Sequence, residues 1–122
     1  MQLSLDHTQR LNLHALMGAQ RANVDELRVW WRLQDRIELT EEEKVAIEFR
    51  TKKVETANGP IEQPVWRIDK AIQVRTFDFA DDEFRRLERL IKEWQPGFLT
   101  TSDRGWLEPL LAQFFTAVNG HP

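Results

Sequence analysis

The clearest hydrophobic pattern lies between residues 81 and 94, where apolar side chains recur at helical spacing. At i, i+3, i+6, i+7 and i+10 they form one narrow stripe: Phe84, Leu87, Leu90, Ile91 and Trp94. We expect Asp81 and Asp82 to cap this helix and the Pro96-Gly97 pair to end it. The pattern predicts an amphipathic helix with one buried face.

Two further helices are predicted near the start of the chain. The first covers about residues 8–19, with Leu13, Leu16 and Met17 on one side. The second is capped by Asn23 or Asp25 and runs to about residue 38. Its apolar residues cover roughly half or more of the helix circumference at 100° per residue: Val24, Leu27, Val29, Trp30, Trp31, Leu33 and Ile37. This helix is therefore either packed between two elements or presents aromatic surface to a partner.

A capping box marks the start of a third, short helix. The Thr40 hydroxyl can accept from the Glu43 N–H while the Glu43 carboxylate accepts from the Thr40 N–H. The run of carboxylates, Glu41 to Glu43, also suits the positive end of the helix dipole. We expect this helix to end near residue 49.

The middle of the chain predicts a hairpin and a third strand. Residues 50–56, the Asn58-Gly59-Pro60 turn and residues 64–68 form the hairpin, and the alternating residues 72–77 form the next strand. A last helix carries Trp106, Leu110 and Phe114; because Pro109 fits poorly inside a helix, the helix either starts near residue 108 or is kinked.

These elements predict one α+β domain over residues 1–122. It has N-terminal helices, a short three-stranded antiparallel meander and two C-terminal helices packed around one core.

Composition narrows the function. The 122 residues include five Trp and seven Phe but no Cys and three His, with a net charge of −3. The absence of cysteine excludes disulfides and thiolate chemistry. The first residues have neither the basic nor the apolar region of a signal peptide, and no apolar run approaches a membrane span. We expect a cytoplasmic protein with no membrane contact.

No grouping of residues predicts catalysis, a metal or a cofactor. His7 and His14 are seven residues apart with no third ligand near, so exposed or capping histidines are expected. Acidic residues at 78, 81 and 82 and the glutamates at 41–43 are explained by helix termini. The serines at 4 and 102 lack a nucleophile-elbow context. We therefore expect a protein that is not an enzyme.

Trp30 and Trp31 are the candidate anchors of a protein-binding site. Adjacent residues on a helix diverge by 100°, so one core contact rarely buries both indoles, and we expect at least one at an interface. Three arginines at i, i+4 and i+8 lie beside them as partner contacts: Arg28, Arg32 and Arg36. The cluster of Trp106, Phe114 and Phe115 is the other interaction candidate, and most of the aromatics in the two groups are expected in the core. The partner is another protein or a second copy of the chain.

The same arginines support an alternative of another class. Three helices followed by a hairpin carrying Arg50, Lys52 and Lys53 are the order of a winged-helix domain, whose hairpin can contact phosphates. Interleaved Asp25 and Asp35, and glutamates opening the third helix, oppose this and favour a solvated mixed-charge face. Nucleic acid is the less favoured partner.

Four segments, taken in order, carry a resemblance. They are Arg10-Leu11-Asn12-Leu13, Leu39-Thr40-Glu41-Glu42-Glu43, Trp66 on a strand, and Trp106-Leu107-Glu108-Pro109-Leu110-Leu111. As a set they resemble small uncharacterised proteins encoded by tailed phages and prophages. The resemblance implies a phage context in the host cytoplasm and a role against, or alongside, a host factor. The resulting hypothesis is a non-enzymatic accessory protein acting by protein binding, with a virion or assembly component as a further alternative.

Overall fold

The computed structural model describes residues 1–93 and 101–119, and for residues 117–119 the backbone alone. The described elements, in chain order, are β1 (Gln2–Leu5), α1 (His7–Gly18), α2 (Val24–Ile37), α3 (Glu41–Ala46), β2 (Arg50–Thr56), β3 (Gly59–Val65), β4 (Arg75–Asp78), α4 (Asp81–Lys92) and α5 (Arg104–Asn119). Short 3₁₀ turns lie at Ile68–Lys70 and Thr101–Asp103. The α+β class predicted from the sequence is confirmed.

The predicted three-stranded meander is wrong. The described strands form two separate antiparallel pairs, β1 with β4 and β2 with β3. The strand after the hairpin joins the N-terminal segment instead, with Leu3 opposite Phe77. The physical reason is burial: Leu3 and Leu5 are fully buried beside Phe77, whereas the hairpin strands are mostly exposed and offer little apolar surface to a third strand.

A side-chain amide from α5 pairs with β1. The Ser4 N–H donates to the Gln113 Oε1 at 2.7 Å, and the Gln113 Nε2 donates to the Ser4 carbonyl at 2.7 Å. The amide thus makes the two hydrogen bonds that a neighbouring strand would make. The Gln113 amide thus joins α5 to β1, a strand that was not predicted from the sequence.

The β2–β3 hairpin is tighter than the sequence suggested. Thr56 pairs with Gly59 across a two-residue turn, and Gly59 has a φ of 106°, which favours glycine. The second strand therefore begins at Gly59 rather than at residue 64. At the base of the hairpin, Trp66 stacks on Phe49 with centroids 6.4 Å apart, and its Nε1–H donates to the Thr8 hydroxyl at 3.0 Å.

Helix termini follow local capping chemistry. Asn23 caps α2 by accepting from the Glu26 N–H, and the predicted box of Thr40 with Glu43 is present at α3. Helix α3 ends earlier than expected, at Ala46, and Glu48 follows with a left-handed φ of 55°.

The two C-terminal helices differ in detail from the prediction. The N-cap of α4 is Ala80, so Asp81 and Asp82 lie in the first turn and do not cap the helix. Helix α5 begins at Arg104 and continues through Pro109, so it does not start near residue 108. The predicted end of α4, with Trp94 and the Pro96-Gly97 pair, lies outside the described residues.

One main core joins the β1–β4 pair to four of the helices. It is built from apolar residues of β1, β4 and the segment after it, and of α1, α2, α4 and α5: Leu3, Leu5, Leu13, Leu16, Met17, Trp30, Leu33, Ile37, Phe77, Phe79, Phe84, Leu87, Leu90, Ile91, Trp106, Leu110 and Phe114. The predicted stripe of α4 is confirmed for its described members. A smaller cluster of Leu39, Ile47 and Ala71 lies at the base of the hairpin, packed against Phe49 and Trp66.

The role of the unpredicted strand β1 can be tested by truncating Leu3. We expect Leu3→Ala to lower the free energy of unfolding by about 2–5 kcal/mol, because the side chain is fully buried against Phe77. Ile72→Ala, at a position that is 75% exposed, should change it by less than about 0.5 kcal/mol. Urea denaturation measures both, and equal values for the two variants would contradict the placement of β1.

Candidate functional site

The two adjacent tryptophans of α2 have opposite environments. Trp30 is 6% exposed and belongs to the main core, with the Arg86 guanidinium 5.6 Å from its ring. Trp31 is 51% exposed. The 100° between successive helical residues explains the difference, since α2 buries only the face that carries Trp30, Leu33 and Ile37. Trp31 is therefore the exposed indole that the sequence could not distinguish from Trp30.

Trp31 lies within a continuous exposed surface, which we call the α2 outer face. Its members are exposed residues of α2: Val24, Arg28, Trp31, Arg32 and Asp35. Val24 and Trp31 are seven residues apart, so they lie within about 20° of each other around the helix axis. Val24 is 58% exposed. The outer face thus presents an aliphatic and an aromatic side chain in line, with charged side chains along one side of them.

The charges of the α2 outer face have no internal partners in the part of the chain that the structure describes. Arg28, Arg32 and Asp35 form no ion pair or side-chain hydrogen bond with residues 1–93 or 101–119. Their guanidinium and carboxylate groups point into solvent. They remain available to pair with charges on another molecule.

Arg36, predicted on the same surface, is used inside the chain. Its Nη1 donates to both Glu83 carboxylate oxygens, at 2.9 and 3.0 Å, and its Nη2 donates to the Asp78 carbonyl. The guanidinium also lies 4.6 Å from the Phe79 ring centroid. Arg36 therefore joins α2 to β4 and α4, and it is not part of the outer face.

The basic residues of the alternative nucleic-acid site lie on the hairpin. Arg50, Lys52 and Lys53 are all exposed. Arg50 and Lys52 share one face of the strand, while Lys53 is on the other face, directly opposite Glu62. The hairpin thus presents two positive charges together, and the third faces a carboxylate.

A buried charge network lies apart from these surfaces. Arg10 is 1% exposed, and its Nε and Nη2 donate to the carbonyls of Ile37 and Glu38, both at 2.9 Å. Its Nη1 donates to the Glu43 Oε2, and its Nη2 lies 3.2 Å from the other oxygen of Glu43. Arg10 thereby connects α1, the end of α2 and the start of α3.

The Glu43 carboxylate is held in its charged form. Burial by itself raises the pKa of this carboxyl, but hydrogen bonds from Arg10 and the Thr40 N–H, with the charges of Arg10 and His7, outweigh burial. The pKa of Glu43 falls from 4.5 to about 2. Glu43 therefore has a role beyond the helix terminus, which was the explanation that the sequence offered for it.

His7 is the third member of the network and is buried, contrary to the expectation of an exposed or capping histidine. It is 2% exposed, and its Nε2 lies 3.1 Å from the Glu43 Oε2. Its Nδ1 is buried and has no hydrogen-bond partner among the described residues. A histidine–carboxylate pair is typical of general-base catalysis. Here, however, Arg10 donates to both carboxylate oxygens, and among the described residues the His7 ring has a hydrogen-bond partner only in Glu43.

Sequence reasoning missed the roles of Arg10, His7 and Glu43 because they lie up to 36 positions apart. The local signal at Glu43, the capping box with Thr40, is correct but incomplete, since the same carboxylate also holds Arg10. These three residues therefore stabilise the contacts of α1 with the end of α2 and the start of α3.

Neither a metal site nor a membrane span is found among the described residues. No group of three or more His, Asp or Glu side chains in residues 1–93 and 101–119 is arranged to hold a metal ion. Over the same residues, no helix has the length and apolar character needed to cross a membrane.

Comparisons with protein-family models, with curated proteins and with solved structures gave no match in any of the three. By its fold the chain is an α+β protein, and the α2 outer face is its candidate site.

The buried network makes stability depend on pH in a defined direction. The carboxyl of Glu43 has a pKa of about 2 in the folded chain and 4.5 ordinarily, so protonation favours the unfolded chain. The stabilisation of about 3 kcal/mol is complete above pH 4.5 and is lost as the pH falls toward about 2. Glu43→Gln should cost about 3 kcal/mol at neutral pH, since it leaves the Arg10 charge buried without a counterion.

The matched control is Glu42→Gln, an exposed neighbour in the same helical turn, which should cost less than about 0.5 kcal/mol. Urea denaturation at several pH values measures the difference between wild type and Glu43→Gln. A difference that stays constant from neutral pH to pH 2 would show that the carboxylate is not held as described.

Proposed function

We propose that this chain is a non-enzymatic accessory protein that binds another protein through the α2 outer face. The observation that supports the proposal best is the half-exposed Trp31 on a helix whose other face is fixed in the core. In line with the resemblance of its sequence motifs, we place it among phage or prophage proteins acting in the host cytoplasm. A role in the virion or its assembly would use the same surface as modulation of a host factor and would differ only in which protein is bound.

The energetics of Trp31 support a binding role. A tryptophan buries roughly 200 Å² or more when fully covered, so covering the exposed half contributes on the order of 3 kcal/mol. That amount corresponds to about a hundredfold in the dissociation constant. Tryptophan and arginine are also the residues most enriched at the energetic centres of protein interfaces.

The charges of the outer face define the partner's chemistry. Arg28 and Arg32 lie on one side of Trp31 and have no carboxylate partner among the described residues. A matching surface has an apolar recess for the indole and carboxylates beside it, which guanidinium groups can bind with two parallel hydrogen bonds. Because α2 is already fixed by core contacts on its opposite face, little backbone entropy is lost on binding.

Replacing the exposed indole tests the proposal. We expect Trp31→Ala to weaken association with the partner by about a hundredfold, because the main apolar contact is removed. Its thermal unfolding should match the wild type, whereas Trp30→Ala should cost about 3–5 kcal/mol of stability, since Trp30 is a core residue. Sedimentation of purified protein and affinity capture from bacterial lysate, compared between variants, measure the association.

Val45→Ala is the matched control, since Val45 is an exposed apolar residue of a different helix. It should retain every interaction of the wild type. Association that is the same for the wild type, Trp31→Ala and Val45→Ala would exclude the α2 outer face as the binding site.

Binding of nucleic acid by the hairpin is the second candidate function. It is favoured by the exposure of the β2–β3 hairpin and by the two positive charges, Arg50 and Lys52, on one of its faces. It is opposed by Glu62 opposite Lys53 and by the length of α3, which at 6 residues is shorter than a recognition helix needs.

Salt dependence separates the two functions. On the protein-binding proposal we expect no retention of duplex DNA at low salt, and no effect of replacing Arg50, Lys52 and Lys53 by alanine on protein association. Electrophoretic mobility shift at increasing salt measures this. A DNA complex that weakens steeply with salt and requires these three residues would support the nucleic-acid function instead.

A further inference from the structure

We propose that the partner of the α2 outer face is a second copy of this chain, bound with the two α2 helices antiparallel about a two-fold axis at Trp31. This inference rests on the proposed function and specifies its partner. It follows from the order of charges along the outer face, which is complementary to itself in that one orientation.

The complementarity comes from the positions of Arg28 and Asp35. They lie three residues before and four residues after Trp31, on the same side of α2. When two such helices pack antiparallel with the Trp31 residues at the centre, Arg28 of each copy lies beside Asp35 of the other. The two-fold axis therefore creates two opposite-charge contacts from one pair of residues.

Other orientations lack this match. A parallel pair of α2 helices about a two-fold axis places Arg28 and Asp35 of the two copies on opposite sides of the interface, where neither lies beside an opposite charge. In the antiparallel arrangement Arg32 of one copy lies beside Trp31 of the other, where a guanidinium can pack on the indole face. In this arrangement the exposed indole of Trp31 and each of the charged side chains beside it have a partner in the other copy.

The size of the surface predicts a weak dimer. Helix α2 has 14 residues and is about 21 Å long, so one helix pair covers less than a standard interface of roughly 1,600 Å². Because packed helices cross at an angle, contact is concentrated at the centre and decreases toward the helix ends. The dimer should therefore form reversibly, in proportion to protein concentration.

Charge reversal provides a test specific to this pairing. Arg28→Asp brings two carboxylates together at each contact, and Asp35→Arg brings two guanidinium groups together. We expect each variant alone to raise the dissociation constant of the dimer about tenfold or more. In an equal mixture of the two variants, a dimer with one copy of each has opposite charges at both contacts.

Two-fold symmetry defines the two contacts of the mixed dimer. One contact joins position 28 of the first copy to position 35 of the second, and the other contact joins position 35 of the first copy to position 28 of the second. With Arg28→Asp as the first copy and Asp35→Arg as the second, the first contact pairs the new carboxylate with the new guanidinium, and the second pairs the native Asp35 with the native Arg28. Both contacts then carry opposite charges, so mixed dimers should form as readily as the wild-type dimer.

Sedimentation velocity over a range of concentrations measures the dissociation constants of the wild type, of the two variants and of their mixture. Circular dichroism shows whether each variant is folded. Asp25→Arg is the control for altered charge, since Asp25 lies on α2 about 120° from Trp31 and should leave the dimer unchanged. Restoration in the mixture supports the pairing. A wild-type monomer at every concentration, or a mixture that stays monomeric, overturns it.

The same measurements distinguish failure of the dimer proposal from failure of the proposed protein-binding function. If the wild type is monomeric but binds another protein, and Trp31→Ala abolishes that binding, the outer face binds a different partner and self-pairing is wrong. If replacing Trp31 changes no association while the charge variants also behave as wild type, both the proposed function and this inference fail.

Discussion

The arrangement of the first three helices depends on one buried cation. The Arg10 guanidinium is withdrawn from water, so each of its N–H groups needs an acceptor, and these come from the carbonyls of Ile37 and Glu38 and from the Glu43 carboxylate. Those acceptors lie where α2 ends and α3 begins. Since the cost of an uncompensated buried charge is large, the turn between α2 and α3 is held in the geometry that satisfies Arg10.

Fixing the C-terminal end of α2 also fixes its rotation. Trp30, Leu33 and Ile37 then pack inward, while Arg36 and Arg86 form ion pairs that join α2 to α4 through Glu83 and Glu26. The arginines of this helix thus divide into two groups by direction. Arg36 serves the fold, and Arg28 and Arg32 are left in solvent beside Trp31, where they support our proposal of a protein-binding face.

The local signals in the sequence predicted the helices well because capping and periodicity involve neighbours in the chain. The cap at Asn23, the box at Thr40 and the apolar stripe of α4 each depend on residues within a few turns. The same local reasoning could not pair β4 with β1, whose partners Leu3 and Phe77 are far apart in the chain. The alternation of Leu3 and Leu5 was the available signal, and four residues are too few to make it decisive.

The amino-acid sequence by itself determined the α+β class, the positions of the helices, and the fact that Trp30 and Trp31 point in directions about 100° apart. It did not determine which indole is buried, because helical geometry fixes the angle between two side chains but not the rotation of the helix in the fold. The tertiary structure decided that rotation, and with it the separate roles of Arg28 and Arg36, through contacts of α2 with Arg10, Glu83 and the core. These contacts join residues distant in sequence, and their energies depend on burial, which exists only in the assembled fold.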